Sequence, residues 1–395
     1  MARRQADGQL AVVSDRITMA PPPPRLDRVT DWMSGQALDA LVVTGTDMVN
    51  WLTGYSRYYG GPSALVLDPS GGRTLVVLRD EVPLAERLAD TGRVVGYGER
   101  GFGLELNPIP LLAATVLGIR TVSAGARIGF AGEHGSHIAG EVSAESVPAD
   151  DALHRMSLVK DGDELERIFH AYELCWLAHA AVAEGARAGA SEIEMMSAAQ
   201  AAAQVAHGEP VEFGADLLAA GNTAEVCGPI AIAGRTRAVP GAPVIADLSV
   251  RADGYWADTC RTHVPGANSE VEDMLAQLQG ILDTTASDLR DAASSADVYR
   301  AMRGRIAAAW PDGEFPHHAG HGIGLSVCDD PHVIPSDAGV LESWMVLALE
   351  PGVYLPGRFG VRKENLFLVT PDGAVELAEA MRRPLSDHAL SGWSA

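Results

Sequence analysis

VIADLSVRADGYWADTCRT, residues 244–262, decides how the chain is read. It holds the core of two strand-like apolar runs, APVIADLSV (242–250) and GYWADTCRTHV (254–264), and each run carries one aspartate, Asp247 and Asp258, eleven residues apart. Strands would hold both side chains inward, where an isolated carboxylate costs several kcal/mol unless it is paired, hydrogen-bonded or metal-bound. A single aspartate at a strand end is commonly a turn or cap residue, but two on adjacent strands invite a cation.

Three more stretches supply matching groups. In HHAGHGIGLSVCDDPHVIP (317–335), His321 stands between glycines that allow close backbone approach. Glu350 ends the apolar run of MVLALEPGVYL (345–355), and Glu364 adjoins the apolar strand in GVRKENLFLV (360–369). Two Asp, two Glu and one His form a hard, oxygen-rich donor set with one imidazole. Such a set suits Mn, Co, Fe or Zn and suffices for two divalent ions sharing bridging carboxylates. Each residue taken alone has a bland reading, and GHG alone reads equally well as a turn; their order along the chain carries the inference.

Composition narrows the class. The chain has 395 residues, 47% hydrophobic and 21% charged, enough to bury two substantial cores. Thirty basic against 52 acidic residues leave a net charge of -22, which disfavours nucleic acid and anionic membranes as partners. No apolar run reaches the roughly 18 residues of a membrane span, and residues 1–20 lack an apolar signal segment, so a cytoplasmic protein is expected. Cys175, Cys227, Cys260 and Cys328 are scattered and include no CxxC pair, which argues for free thiols.

Residues 1–24 read as a Pro-rich tail ending in Pro21 to Pro24. Residues 25–155 alternate short apolar runs (ALDALVVTG, SALVLD, TLVVLRD, RVVGYGE, ARIGFAGE) with helical patterns (EVPLAERLADT, PIPLLAATVLGI), the mark of an α/β domain. From residue 156 onward, helices and strands cluster as an α+β domain reaching 395. Its first helix aligns Leu165, Ile168, Phe169, Tyr172, Cys175, Trp176 and His179, which makes Cys175 a core residue, with Asp161 or Asp163 as N-cap. Capping-box spacings at Ser191/Glu194 and Ser269/Glu272, and a looser one at Ser294/Asp297, mark further helix starts.

The order Asp247, Asp258, His321, Glu350, Glu364, in the phrases VIADLSVRADGYWADTCRT, FPHHAGHGIGL, LALEPGVYLPGRFGVRKEN and SLVKDGDELERI, resembles the methionine aminopeptidase, prolidase and creatinase superfamily (peptidase family M24) over residues 156–375. DMVNWLTGYS (47–56) looks like the accessory domain of its Xaa-Pro peptidase branch. The resemblance implies an α+β "pita-bread" catalytic domain behind a creatinase-like N-terminal α/β domain, and a homodimer. It implies that Asp247 chelates one ion, that His321 and Glu350 hold the other, and that Asp258 and Glu364 bridge both. A bridging hydroxide then attacks the carbonyl of a small amide or short peptide. Arg261 and Arg362 would be supporting cations, with ordinary surface ion pairs as the alternative.

The chain departs from that family where substrate is contacted. Seven residues after His321, where a histidine is normal, stands Cys328, and a second usual histidine corresponds to Cys227 in AAGNTAEVCGPI (219–230). Three readings of these thiols stay open: small pocket-lining groups, an extra soft metal ligand, or a nucleophile or acid-base group. His332 is a candidate replacement imidazole, or an exposed loop residue beside Pro331. The activity expected first is a metal-dependent Xaa-Pro-type hydrolase. Its alternatives are a creatinase-, ectoine-hydrolase- or lyase-like enzyme acting on a small metabolite, and a catalytically silent binding module.

Overall fold

The computed structural model describes residues 20–57, 60–100, 107–119, 122, 125–141, 145–225 and 233–381. The greater part of the expected tail, residues 1–19, and Cys227 lie outside the described residues. The chain divides into two compact units: residues 23–157, and residues 158–395 together with 1–22.

In the first unit the short apolar runs become strands β1 (Ala40–Thr44), β2 (Ala64–Leu67), β3 (Arg73–Leu78), β4 (Arg93–Tyr97) and β5 (Arg127–Ala131), joined by β6 (Glu145–Pro148). They form one mixed sheet in the order β4-β3-β2-β1-β5-β6. β6 escaped the sequence reading because ESVP is an exposed edge with no apolar run. Helices α1 (Arg25–Gly35), α2 (Thr46–Thr53), α3 (Val82–Leu88), α4 (Ile109–Leu117), α5 (Gly135–Glu141) and α6 (Asp150–Leu158) complete it. Val42, Val66, Val76 and Ile128 of the sheet bury against Leu112 and Val116 of α4 and Ile138 of α5.

The second unit begins with α7 (Gly162–Arg187) and α8 (Glu192–His207). Asp161 caps α7 and Ser191 caps α8, each in a full capping box with the glutamate three residues on. The seven residues aligned by spacing on α7 are all buried, and Cys175 is core. These helices back a three-stranded antiparallel sheet of β7 (Glu212–Ala219), β8 (Val244–Ala252) and β9 (Tyr255–His263). Strand periodicity divides β8 cleanly. Val244, Ala246 and Leu248 pack with the helices, whereas Ile245 joins Leu218, Cys260 and Tyr354 on the other face. Asp247 therefore points away from the helices.

After the short α9 (Asn222–Glu225), which precedes β8, come α10 (Ser269–Ala286) and α11 (Ser295–Ala309). α10 starts one residue earlier than the Ser269/Glu272 spacing predicts: Asn268 is the N-cap, accepting from the Val271 amide, because Glu272 reaches back to the Asn268 amide. Ser294 caps α11. Both helices pack on a second sheet, β11-β10-β12-β15-β16, made of β10 (Gly320–Gly322), β11 (Asp329–His332), β12 (Val346–Leu349), β15 (Asn365–Leu368) and β16 (Val375–Glu376). β13 (Gly352–Leu355) and β14 (Phe359–Arg362) pair as a hairpin, and α12 (Leu377–Ala380) follows β16. Leu278, Leu282, Met302 and Ile306 of the helices bury with Leu347, Leu349 and Phe367 of the sheet. Burying each such side chain contributes roughly 1.5–3 kcal/mol. Among the described residues, no helix is long and apolar enough to cross a membrane.

Candidate metal centre

The spacing of Asp247 and Asp258 becomes a geometry through the hairpin between them. β8 and β9 are joined by Asp253 and Gly254 alone, both with positive φ (51° and 83°), the two-residue turn that fixes register. That register sets Asp247 opposite Cys260 and Ser249 opposite Asp258. The two aspartates are thus diagonal neighbours on one face. On β7, Asp216 lies directly opposite Asp247.

Register also brings the two glutamates together. Leu349 pairs with Asn365 between β12 and β15, and Gly352 with Arg362 between β13 and β14, so Glu350 and Glu364 face each other where the two ladders meet. Like charges placed directly opposite repel. His321 on β10 pairs with Ala348, which puts its side chain on the face that carries Glu350. The flanking glycines are required: a Cβ on Gly320 would stand 2.0 Å from the Ala348 carbonyl oxygen, and one on Gly322 would stand 2.1 Å from that of Asp330. The two sheets are stitched at Glu364, whose amide donates to the Cys260 carbonyl (3.0 Å) and whose carbonyl accepts from the Thr259 hydroxyl (2.8 Å).

Two groups of donors converge. The ligand atoms of Asp258, His321 and Glu364 lie within 4.8 Å of one another, as do those of His318, His321 and Glu350. His321 Nδ1 sits 2.9 Å from the Gly322 carbonyl, so Nδ1 carries the proton and Nε2 is left facing Glu350 Oε1 (3.9 Å) and Glu364 Oε1 (4.0 Å). Asp258 Oδ1 and both carboxylate oxygens of Glu364 are buried with no hydrogen-bond partner. Burial and the neighbouring carboxylates push Asp258 and Glu364 well above the usual carboxylate range. Burial alone would also raise Glu350, but the His318 hydrogen bond and the nearby imidazoles outweigh it and hold Glu350 at about 2. Unpaired buried carboxylate oxygens beside an aimed imidazole nitrogen are costly without a cation. The residues present therefore fit divalent metal.

Arg362 and Arg261 are not surface ion pairs. Arg362, 2% exposed, places Nη2 3.1 Å from Asp247 Oδ2 and 3.3 Å from Asp216 Oδ2. Burial and the Asp247 charge nevertheless push Asp216 up to about 7. Arg261 lies over the Trp176 ring, 4.2 Å from its centroid, and donates to the carbonyls of Cys260 and Glu364, bracing the backbone behind the centre.

Cys328 is exposed, at the lip of the cluster. Partial burial, with the carboxylates of Glu350, Asp258 and Asp329, pushes its thiol up to about 12. Among the described residues it belongs to neither donor group. His332 lies opposite His321 in the β10–β11 ladder, with a side chain 40% exposed and Nε2 3.8 Å from Asp330 Oδ1.

Sequence reasoning missed three groups. His318 Nε2 lies 2.7 Å from Glu350 Oε1, and burial, which would lower this imidazole, is outweighed by that bond so that its pKa is raised. His317 Nε2 meets the Tyr354 hydroxyl at 3.1 Å, and burial holds it down at about 4. Asp216 is the third. The doublet His317–His318, one residue ahead of the GHG phrase, was a visible signal; Asp216 had none until register placed it opposite Asp247.

Residues 25–156 match the creatinase/prolidase N-terminal domain. The chain is 28% identical over 359 residues to the probable dipeptidase PepE of Mycobacterium tuberculosis, covering 86% of this chain and 90% of that one. Solved structures that share its fold include the X-Pro aminopeptidase of Thermotoga maritima (TM-score 0.73, 21% identity, 89% and 96% of the two chains). The prolidase of Pyrococcus furiosus is another (TM-score 0.68, 22% identity, 88% and 98%). The second unit thus has the expected pita-bread fold, two helix-backed sheets facing a shared centre. Residues 166–371, over half of the chain, match metallopeptidase family M24, and the chain belongs to that family.

Proposed function

We propose that this chain is a metal-dependent dipeptidase that hydrolyses short peptides, those with proline after the scissile bond among them. The observation that carries the reading is the buried, partnerless oxygens of Asp258 and Glu364 facing Nε2 of His321. In this assignment Asp247, Asp258, His321, Glu350 and Glu364 hold two divalent ions drawn from Mn, Co, Zn or Fe. Bound there, such ions supply a water made acidic enough to attack at neutral pH and polarise the peptide carbonyl. The remaining work falls to the chain. The Gly322 carbonyl fixes the ring of His321, and His318 holds Oε1 of Glu350. Arg362 holds Asp247 against the repulsion of Asp216, and the Thr259 hydroxyl anchors the backbone of Glu364. His317 and Tyr354 form a polar wall beside Glu350. The names of the relatives, probable dipeptidase and X-Pro aminopeptidase, support peptide substrates, and the family supports a cytoplasmic homodimer.

Cys328 favours a second reading, in which the same centre cleaves a small non-peptide metabolite, because a thiol at the lip is a poorer proton donor than imidazole. One experiment separates the two. Metal-stripped chain is reloaded with Mn, Co or Zn and offered a panel of Xaa-Pro and other dipeptides, with products read by mass spectrometry. Metal-dependent cleavage that Asp258→Asn abolishes is expected. Loaded chain that leaves every dipeptide intact defeats the peptidase reading and leaves the metabolite reading.

A further inference from the structure

A second group of donors lies outside the centre just described. His170 comes from α7, His207 is the last residue of α8, and Asp253 sits at the tip of the β8–β9 hairpin. Their ligand atoms all lie within 4.8 Å of one another. His170 Nε2 and His207 Nδ1 share a hydrogen bond of 3.1 Å in the metal-free chain, with ring planes tilted by 43°. Two imidazole nitrogens bound to one first-row ion at about 2.0–2.1 Å stand roughly 2.9–3.4 Å apart for bond angles between about 90 and 110°. The observed separation falls in that interval. Asp253 is six residues along the chain from Asp247, about 20 Å at the rise of an extended strand.

The surroundings suit a cation. α8 ends at His207, so the carbonyls of its last turn present the negative end of the helix there. Both imidazoles are half-buried and Asp253 is exposed, which leaves a coordination position open to water. Burial lowers the pKa of His170, keeping a nitrogen lone pair free at neutral pH. Arg167 is occupied by Asp163 (3.0 Å) and by the backbone carbonyl of Asp253, not by the Asp253 carboxylate.

We propose that His170, His207 and Asp253 form a separate metal site for a borderline dication such as zinc, nickel or cobalt, clipping the hairpin tip to α7 and α8. Two neutral nitrogens and one carboxylate prefer these ions to manganese or magnesium. The clip stiffens the two strands that carry Asp247 and Asp258. It stands independently of the catalytic reading.

The test uses full-length chain in which Asp258→Asn, Glu350→Gln and Glu364→Gln disable the first centre. Zinc bound at micromolar free zinc is counted by equilibrium dialysis with elemental analysis, and thermal stability is read in parallel. One retained equivalent that raises Tm is expected, and adding His207→Ala or Asp253→Asn should weaken it at least about tenfold. Asp253→Asn, at an exposed turn, keeps the comparison valid if His207→Ala folds poorly. No retained zinc, or zinc held equally well after both substitutions, overturns the proposal.

Discussion

His318 Nε2 lies 2.7 Å from Oε1 of Glu350, the shortest tie between an imidazole and a carboxylate in the described part of the centre. The bond orients a carboxylate that otherwise has a like charge, Glu364, directly across the ladder. His318→Ala is expected to lower metal affinity about 10–100-fold, the range for losing a group that orients a ligand. The side chain is 30% exposed, so the fold should survive. Calorimetric titration of wild type and variant with manganese checks this, and equal affinities would show that Glu350 needs no such support.

Arg362 neutralises two carboxylates at once, those of Asp247 and Asp216. Removing it as Arg362→Met leaves them half-buried and facing each other, which should cost up to about 3 kcal/mol in the metal-free chain. Asp216→Asn in that background should recover part of the loss, because one of the two charges is gone. Urea denaturation of the single and double variants measures the coupling. Strictly additive effects would mean that Arg362 does not couple Asp216 to Asp247.

Much of this was legible in the sequence, and the part that was not has a physical reason. Asp258, His321, Glu350 and Glu364 fall in two overlapping donor groups, while Asp247 lies diagonal to Asp258 and against Arg362; strand parity and apolar runs are local properties that a sequence displays. The N-caps at Asp161, Ser191 and Ser294 are local as well. Asp216 and the opposition of Glu350 to Glu364 depend on register between strands, which only the assembled sheet fixes. The cap of α10 moved to Asn268 because asparagine and serine compete as neighbours and spacing alone does not rank them. For Arg261 the supporting and surface readings both stayed open in the sequence, because its partners are backbone carbonyls and an indole ring, which no charge pattern announces.

Without metal, the centre should make stability fall as pH rises above about 6.5. Burial and the Asp247 charge raise Asp216 from 3.8 to about 7, and burial with the neighbouring carboxylates raises Asp258 and Glu364 as well. A carboxyl with a raised folded-state pKa binds its proton more tightly in the folded chain than in the unfolded one. Its stabilising contribution is complete below about pH 4 and is lost as pH climbs through about 7. Glu350, lowered to about 2, acts in the opposite direction below about pH 4.5, and so do the imidazoles that burial holds down, His317 at about 4 and His321, up to about pH 6.5. The melting temperature of chelator-treated chain should therefore drop between about pH 6.5 and 8, and divalent metal should flatten that slope while releasing protons. A metal-free Tm that climbs across this window would contradict the assignment of unpaired carboxylates.

Cys328 offers the most direct way to learn what the missing histidine costs. The thiol is exposed, and its raised pKa, about 12, keeps it protonated at neutral pH, so in wild type it contributes neither charge nor a strong hydrogen bond. Cys328→His places an imidazole at the lip, where it can share a proton with substrate. If the centre cleaves peptides, dipeptide turnover should rise by about tenfold or more, within the range general acid-base groups contribute. Metal content should not change, and stability should stay within about 0.5 kcal/mol, as at other exposed positions. Cys328→Ser should leave turnover near the wild-type level, because one weak neutral donor replaces another. A Cys328→Ser variant that loses activity outright would show instead that sulfur itself takes part, and Cys328→His would then fail as well.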